Sequence, residues 1–96
     1  MTNLAARLKA NPPVKLYRIG EVAQYSGLSR QTVHNYTIMG LIREQEWTKG
    51  GHRLYDESVF NALARIDELK DTKTLREIRQ ILEQEKKSHS EDSIVA

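Results

Sequence analysis

The segment TKGGHRLYDESV, residues 48–59, places cationic and aromatic side chains directly after two glycines. The glycines allow a tight turn whose backbone can approach a phosphate, and the side chains that follow could bind phosphate oxygens. Such contacts hold a protein on DNA but do not read its base sequence. The candidates in this segment are Lys49, Gly51, His52, Arg53 and Tyr55. Tyr55 has an equally strong alternative role as a core anchor, and we expect the preceding Trp47 to pack on a sheet.

The segment SRQTVHNYTIMG, residues 29–40, carries a second set of polar groups at helical spacing. Val33 and Tyr36 define its inward apolar face, and Thr37 is a further outward candidate. Arginine can form two hydrogen bonds with guanine, and asparagine or glutamine can do the same with adenine. The candidates for DNA contact are Ser29, Arg30, Gln31, Thr32, His34, Asn35 and Tyr36. Taken alone, such a set is more often an ordinary polar helix surface.

Two short helices joined by a glycine turn would position this second set. Apolar residues at helical spacing predict a first helix that begins near Ile19 and ends at Gly27. Ser29 is a suitable cap for the next helix, which ends at Gly40. This is the helix-turn-helix arrangement, whose second helix enters the major groove of DNA. That context favours DNA contact over a plain polar surface for residues 29–37.

The remaining elements complete a winged fold. Residues 42–47 and 52–55 are predicted to be strands joined by the glycine turn, and residues 16–18 could add a third strand. Asp56 is expected to cap a third helix, and Thr74 with Glu77 forms a capping-box pair that opens a fourth. The predicted fold class is mainly α, a winged helix-turn-helix of four helices with a small antiparallel β wing. The predicted divisions are a flexible N-terminal arm (1–15), the DNA-binding domain (16–83) and a polar C-terminal tail (84–96).

The charge of the 96-residue chain is unevenly distributed. Residues 1–55 carry eight lysines and arginines against three acids, a net +5. Residues 56–96 carry seven against ten, a net −3. A basic first half indicates a polyanionic partner, and a solvated surface with uneven charge is the alternative explanation.

Several other classes of function find no support in the residues. There is no cysteine, which excludes disulfides and thiolate metal sites. The three histidines are scattered without metal-ligand spacing, and no catalytic triad or phosphate-loop motif is present. No apolar run approaches the roughly 18 residues of a membrane span. We therefore predict no catalytic, cofactor or metal site, no membrane partner, and a cytoplasmic, nucleoid-associated protein.

The segments YRIGEVAQYSGLSRQTVHNYTIMGLI, GGHRLYDESV and TLREIRQIL together resemble the DNA-binding domain of the MerR family of bacterial transcription regulators. The resemblance covers about residues 16–83. Arg53 and Tyr55 match the family's basic and aromatic wing positions, and Arg18 matches a frequent basic residue before the first helix. His34 and Asn35 stand where the family usually has an arginine and an aromatic residue. Because no coiled-coil heptads follow the fourth helix, the resemblance implies an effector-less, single-domain member.

The resulting prediction is a sequence-specific regulator that binds double-stranded DNA through its second helix and its wing. Candidate partners besides DNA are a second copy of the chain, as a dimer or a cooperative array, and RNA polymerase or another regulator. Two alternatives remain open at this point. One is an excisionase-like or nucleoid architectural protein that bends DNA. The other is a protein-interaction adaptor that has lost DNA binding.

Overall fold

The computed structural model describes residues 15–95 and the side-chain environments of residues 15–87. Nearly all of the predicted N-terminal arm therefore lies outside the described residues. The described chain confirms the predicted fold class, with four helices and a three-stranded antiparallel sheet. In chain order the elements are β1 (Leu16–Arg18), α1 (Ile19–Ser26), α2 (Arg30–Ile38), β2 (Glu46–Trp47), β3 (Arg53–Asp56), α3 (Ser58–Leu69) and α4 (Leu75–Val95).

The turn between α1 and α2 forms as the residue types predict. Gly27 has a positive φ of 76°, and its N–H donates to the carbonyl of Ala23 at 3.0 Å. Such a left-handed residue is a common end for a helix and strongly favours glycine. The Ser29 hydroxyl accepts a hydrogen bond from the backbone N–H of Thr32 at 3.0 Å, which caps α2. Leu28, between them, packs against the core.

The sheet has the strand order β1-β3-β2, and its hairpin is the wing. Gly51 has a φ of 83° and donates to the Thr48 carbonyl at 3.0 Å, closing the turn. Strand β2 is only two residues long, whereas residues 42–47 were predicted to be extended. The start of the predicted strand is bonded to α2 and not to β3. The backbone N–H groups of Leu41 and Ile42 both donate to the Tyr36 carbonyl at the end of α2, and both side chains are buried.

One fully buried side chain from each of five elements forms the centre of the core. These side chains are Val22, Val33, Tyr55, Ile66 and Ile78, from α1, α2, β3, α3 and α4. Burying a side chain of this size stabilises a fold by about 1.5–3 kcal/mol relative to leaving it in water. The core therefore fixes the wing and helix α2 against the same set of residues.

Polar side chains accept hydrogen bonds from backbone N–H groups at the N-terminal ends of α3 and α4. Helix α3 begins at Ser58, one residue later than predicted, and its N-cap residue is Glu57, whose side chain makes no capping hydrogen bond. Asp56, the predicted cap, lies one residue before the N-cap, and its carboxylate accepts a hydrogen bond from the Ser58 backbone N–H at 2.9 Å. The Thr74 N–H donates to Glu77 at 2.9 Å, and the Glu77 N–H donates back to the Thr74 hydroxyl at 3.1 Å. The hydrogen bond from the Thr74 backbone N–H is the largest cause of a lowered pKa of the Glu77 carboxyl.

Helix α4 continues through the residues predicted to form a polar tail. It runs to Val95, beyond the boundary placed at residue 83. Arg65 of α3 bonds the Glu85 carboxylate at 2.8 Å, and this hydrogen bond lowers the pKa of Glu85. The apolar pattern ends at residue 82 because the helix leaves the core there. Glutamate, glutamine and lysine remain good helix formers when they face solvent.

Candidate nucleic-acid interface

A groove of about 600 Å³ lies between the start of α1, the helix α2 and the wing. Six of the predicted DNA contacts line it: Arg18, Arg30, His34, Gly51, His52 and Arg53. We call it the basic groove. Glu21 also lines it, and its carboxylate accepts a hydrogen bond from the Arg18 backbone N–H at 2.9 Å. The fold thus brings cationic side chains from distant parts of the sequence to one concave surface, which suits a polyanion.

The outer ridge of α2 presents two amide side chains next to this groove. The Gln31 side-chain NH₂ group donates to the Asn35 side-chain oxygen at 2.9 Å, and both residues are exposed. A glutamine and an asparagine four residues apart stabilise a helix by a few tenths of a kcal/mol, about 0.2–0.5. The pair also holds the two amides in one relative orientation on the surface.

Ser29 and Thr32 serve the helix that carries these groups. Their hydroxyl oxygens lie 2.9 Å apart, and the Ser29 oxygen also caps the helix. A serine cap contributes about 1 kcal/mol to helix stability. The predicted DNA contacts at these two residues would have to share hydroxyls that already have partners within the protein.

Arg30 reaches the basic groove across the second residue of α1. A side-chain Cβ placed on Gly20 would lie 2.7 Å from the Arg30 Nη2 atom, closer than nonbonded atoms approach. Gly20 therefore leaves the space that the guanidinium occupies. Gly20 could not be singled out from residue types, because its contact with Arg30 joins two helices and depends on how they cross.

Tyr55 is a core residue in the structure, and the predicted phosphate contact from its hydroxyl is corrected accordingly. The side chain has 0% exposure, and its hydroxyl lies 2.8 Å from the Thr37 hydroxyl. Thr37 donates its single hydroxyl proton to the Val33 carbonyl at 2.9 Å, so Tyr55 is the donor to Thr37. Tyr55 thus joins the wing to α2, and Thr37 faces inward rather than toward DNA.

Tyr36 is also separated from the other candidates. It is half-buried, packs against the core and lines a second groove of about 310 Å³ beside α3. Lys49, at the tip of the wing, is exposed but does not line the basic groove. The basic groove therefore holds about half of the predicted contacts.

Arg53 is the most constrained side chain of the basic groove. Its Nε donates to the Glu44 carboxylate at 3.0 Å, and its guanidinium carbon lies 4.5 Å from the centre of the Trp47 ring. Trp47 is 52% exposed, so it packs on Arg53 at the surface rather than in the core. Sequence reasoning missed Glu44, because only the hairpin pairing brings it next to a residue nine positions later.

Ile38 is a second residue that sequence reasoning missed. It is the last residue of α2 and is 63% exposed, on the same outer ridge as Gln31 and Asn35. The signal available in the sequence was its helical position, three residues after Asn35 and away from Val33. An exposed apolar side chain on this ridge can make an apolar contact with the methyl group of thymine.

The sequence profile of the MerR HTH family of regulatory proteins matches residues 17–85, which include α1, α2, the wing, α3 and the start of α4. The chain belongs to the MerR family. Within the described part of this MerR-family chain, no group of histidine, cysteine, aspartate or glutamate side chains could hold a metal ion. None of its described helices is long and apolar enough to cross a membrane.

Curated relatives are similar over the same region. The nodulation protein NolA of Bradyrhizobium elkanii is 38% identical over 76 residues, which make up 78% of this chain and 35% of NolA. The mercuric resistance operon regulatory protein of Bacillus cereus is 36% identical over 67 residues, covering 69% of this chain and 51% of that protein. This MerR-family chain thus spans about a third to a half of the length of these relatives.

Solved structures share the fold. The N-terminal part of MtaN, the multidrug transporter activator of Bacillus subtilis, is 26% identical with a TM-score of 0.64, and the match covers 82% of this chain and 91% of that one. HiNmlR, a MerR family regulator lacking the sensor domain and solved bound to promoter DNA, is 23% identical with a TM-score of 0.64. That match covers 72% of this MerR-family chain and 56% of HiNmlR, and it supports the fold alone.

Proposed function

We propose that this chain binds double-stranded DNA at a preferred sequence, with α2 in the major groove and the wing on the flanking backbone. The observation that carries the proposal is the basic groove, which places Arg18, Arg30 and Arg53 beside the polar outer ridge of α2. A helix of this kind fits the major groove, and cationic groups beside it can neutralise phosphates.

The two parts of the surface support different tasks. The ridge carries Gln31 and Asn35, whose amides can bind adenine, and Arg30 can bind guanine from the edge of the groove. Arg18, His52 and Arg53 lie where they could contact phosphates on either side of the helix. Affinity would come mainly from these phosphates, and preference from the ridge.

The biological role that we propose is regulation of transcription. Relatives of this chain include an operon regulatory protein and a transporter activator, and HiNmlR is bound to promoter DNA. We infer that promoter DNA is the target here too. A second copy of the chain and RNA polymerase are the proposed protein partners, and the proposed location is the bacterial nucleoid.

The test begins with selection of duplexes from a random library, followed by fluorescence anisotropy on the selected duplex and a scrambled one. The titration is repeated at several salt concentrations. We expect a preference of at least about a hundredfold and a salt slope that corresponds to several phosphates.

Three other outcomes are informative in this experiment. Equal binding to both duplexes would overturn sequence-specific regulation and favour the architectural function. Absence of binding at low salt would overturn the proposal and favour the adaptor. Preference without a salt slope would contradict the role assigned to the basic groove.

A further inference from the structure

We propose that Glu44 and Trp47 are positioning residues that hold the Arg53 guanidinium so that its outer edge binds one DNA phosphate. This inference rests on the proposed function, since it assigns how one wing side chain would meet the DNA backbone. Glu44 is an acid beside a surface that should bind a polyanion, and simple electrostatics would make it unfavourable there. Its contact with Arg53 supplies a reason for it to strengthen binding instead.

The contacts leave a defined part of Arg53 available. The guanidinium lies over the Trp47 ring, with 4.5 Å between the guanidinium carbon and the ring centre. Its Nε, at the inner edge, donates to Glu44 at 3.0 Å. The terminal nitrogens Nη1 and Nη2 make no hydrogen bond within the described residues. Two parallel N–H groups at that end match the oxygens of a phosphate.

The hairpin itself brings the three side chains together. Trp47 of β2 pairs directly with Arg53 of β3, so their side chains lie on the same face of the sheet. Glu44 lies just before β2, and the neighbouring Gln45 N–H donates to the Leu54 carbonyl at 2.7 Å. This backbone bond holds the segment that carries Glu44 against β3.

The arrangement has its effect on binding rather than on folding. The Arg53 and Glu44 side chains are 24% and 29% exposed, and a pair so close to water contributes little to stability. An arginine loses much rotational freedom when it binds a fixed phosphate. If Glu44 and Trp47 already order the Arg53 side chain in the free protein, binding to phosphate costs less side-chain conformational entropy.

The experiment compares Glu44→Ala with Glu46→Ala on the selected duplex. Both changes remove one negative charge, from positions two residues apart in the wing, so both should lower the long-range repulsion of DNA by a similar amount. Glu46 is exposed and takes part in no ion pair of the described chain. We expect Glu44→Ala to bind roughly threefold to tenfold more weakly than Glu46→Ala, with a smaller salt slope.

Combination with Arg53→Ala shows whether the effect passes through Arg53. In that background, adding Glu44→Ala should change affinity by less than about twofold, since the group that Glu44 positions is gone. Trp47→Phe keeps an aromatic face for the guanidinium and should bind better than Trp47→Ala. Thermal unfolding of each variant separates these effects from loss of the fold.

Each outcome decides the inference. If the wild-type chain binds DNA but Glu44→Ala binds as tightly as Glu46→Ala, or more tightly, the inference is wrong while the proposed function stands. Tighter binding would mean that Glu44 competes with phosphate for Arg53. If the wild-type chain binds no DNA at all, the proposed function fails first and this inference with it.

Discussion

The outer face of α2 and the wing both direct an arginine into the basic groove, but they hold it in different ways. Arg53 of the wing is paired with Glu44 through its Nε and lies over the Trp47 ring. Arg30 of α2 lies over Gly20 and takes part in no ion pair of the described chain. A constrained side chain suits a phosphate at a fixed spacing, and a less constrained one can adjust to a base edge. Under the proposed function, Arg53 would hold the DNA backbone and Arg30 would read a base.

The largest effect is expected where the two regions are joined, at Tyr55. Tyr55→Ala removes a fully buried aromatic ring between β3 and α2, and it should lower the free energy of unfolding by about 3–5 kcal/mol. Urea denaturation followed by circular dichroism measures this loss. A decrease below about 1 kcal/mol would contradict the core role.

Tyr55→Phe is the matched control, because it removes only the hydroxyl that donates to Thr37. It should cost about 1 kcal/mol of stability. If Tyr55 makes no phosphate contact, the salt slope of DNA binding should not change in this variant. A slope smaller by about one unit would restore the phosphate contact predicted from the sequence.

The second prediction concerns the outer ridge of α2, which we propose reads the base sequence. Arg30→Ala with Gln31→Ala should reduce the preference for the selected duplex from at least about a hundredfold to about tenfold or less, because each good base contact discriminates by about 1–3 kcal/mol. Lys49→Ala is the control, since it removes one exposed charge of the wing and should leave preference unchanged. Unchanged preference in the double variant would mean that another element reads the sequence.

The third prediction concerns the wing, which we propose binds the DNA backbone. Arg53→Ala should weaken binding to the selected and the scrambled duplex by the same factor, and should reduce the salt slope by about one. Anisotropy titrations at several salt concentrations measure both quantities. A change of preference, rather than of affinity alone, would show that the wing also reads bases and would remove the contrast with α2.

Local residue types were sufficient to predict most of the scaffold. Gly27, Ser29 and the pair Thr74 and Glu77 act within a few residues of themselves, so their hydrogen bonds follow from spacing alone. Helix α4 was predicted too short, since the apolar pattern records contact with the core and not helical backbone. Its extension depends on solvent-facing helix formers and on Glu85, which bonds Arg65 of α3.

The candidate site could be predicted only in part, because its geometry depends on contacts between distant residues. Arg53 and Arg30 were identified from their type and place in the motif. Their neighbours in the structure, Glu44 beside Arg53 and Gly20 beside Arg30, are respectively nine and ten residues away and follow from strand pairing and helix crossing. Tyr55 shows the same limit, since alternation along a strand does not decide whether a tyrosine ends in the core or at the surface.

The smallest expected effect concerns the space that Arg30 occupies over Gly20. Gly20→Ala adds one methyl group where the Arg30 Nη2 atom would be 2.7 Å away, so the guanidinium must move. The helical backbone at residue 20 tolerates alanine, and alanine in a helix is more favourable than glycine by up to about 1 kcal/mol. The melting temperature should therefore stay the same or rise, while preference for the selected duplex falls severalfold. Anisotropy on both duplexes and a thermal melt measure the two effects on one sample.

Gly20→Ala in the Arg30→Ala background is the control, because the methyl group then displaces nothing and should leave DNA preference unchanged. A loss of preference that persists in that background would mean that Gly20 acts on the interface directly. An unchanged preference in the single variant would show that Arg30 reaches its base from another position, and that its weak constraint in the free protein is no guide to the bound one.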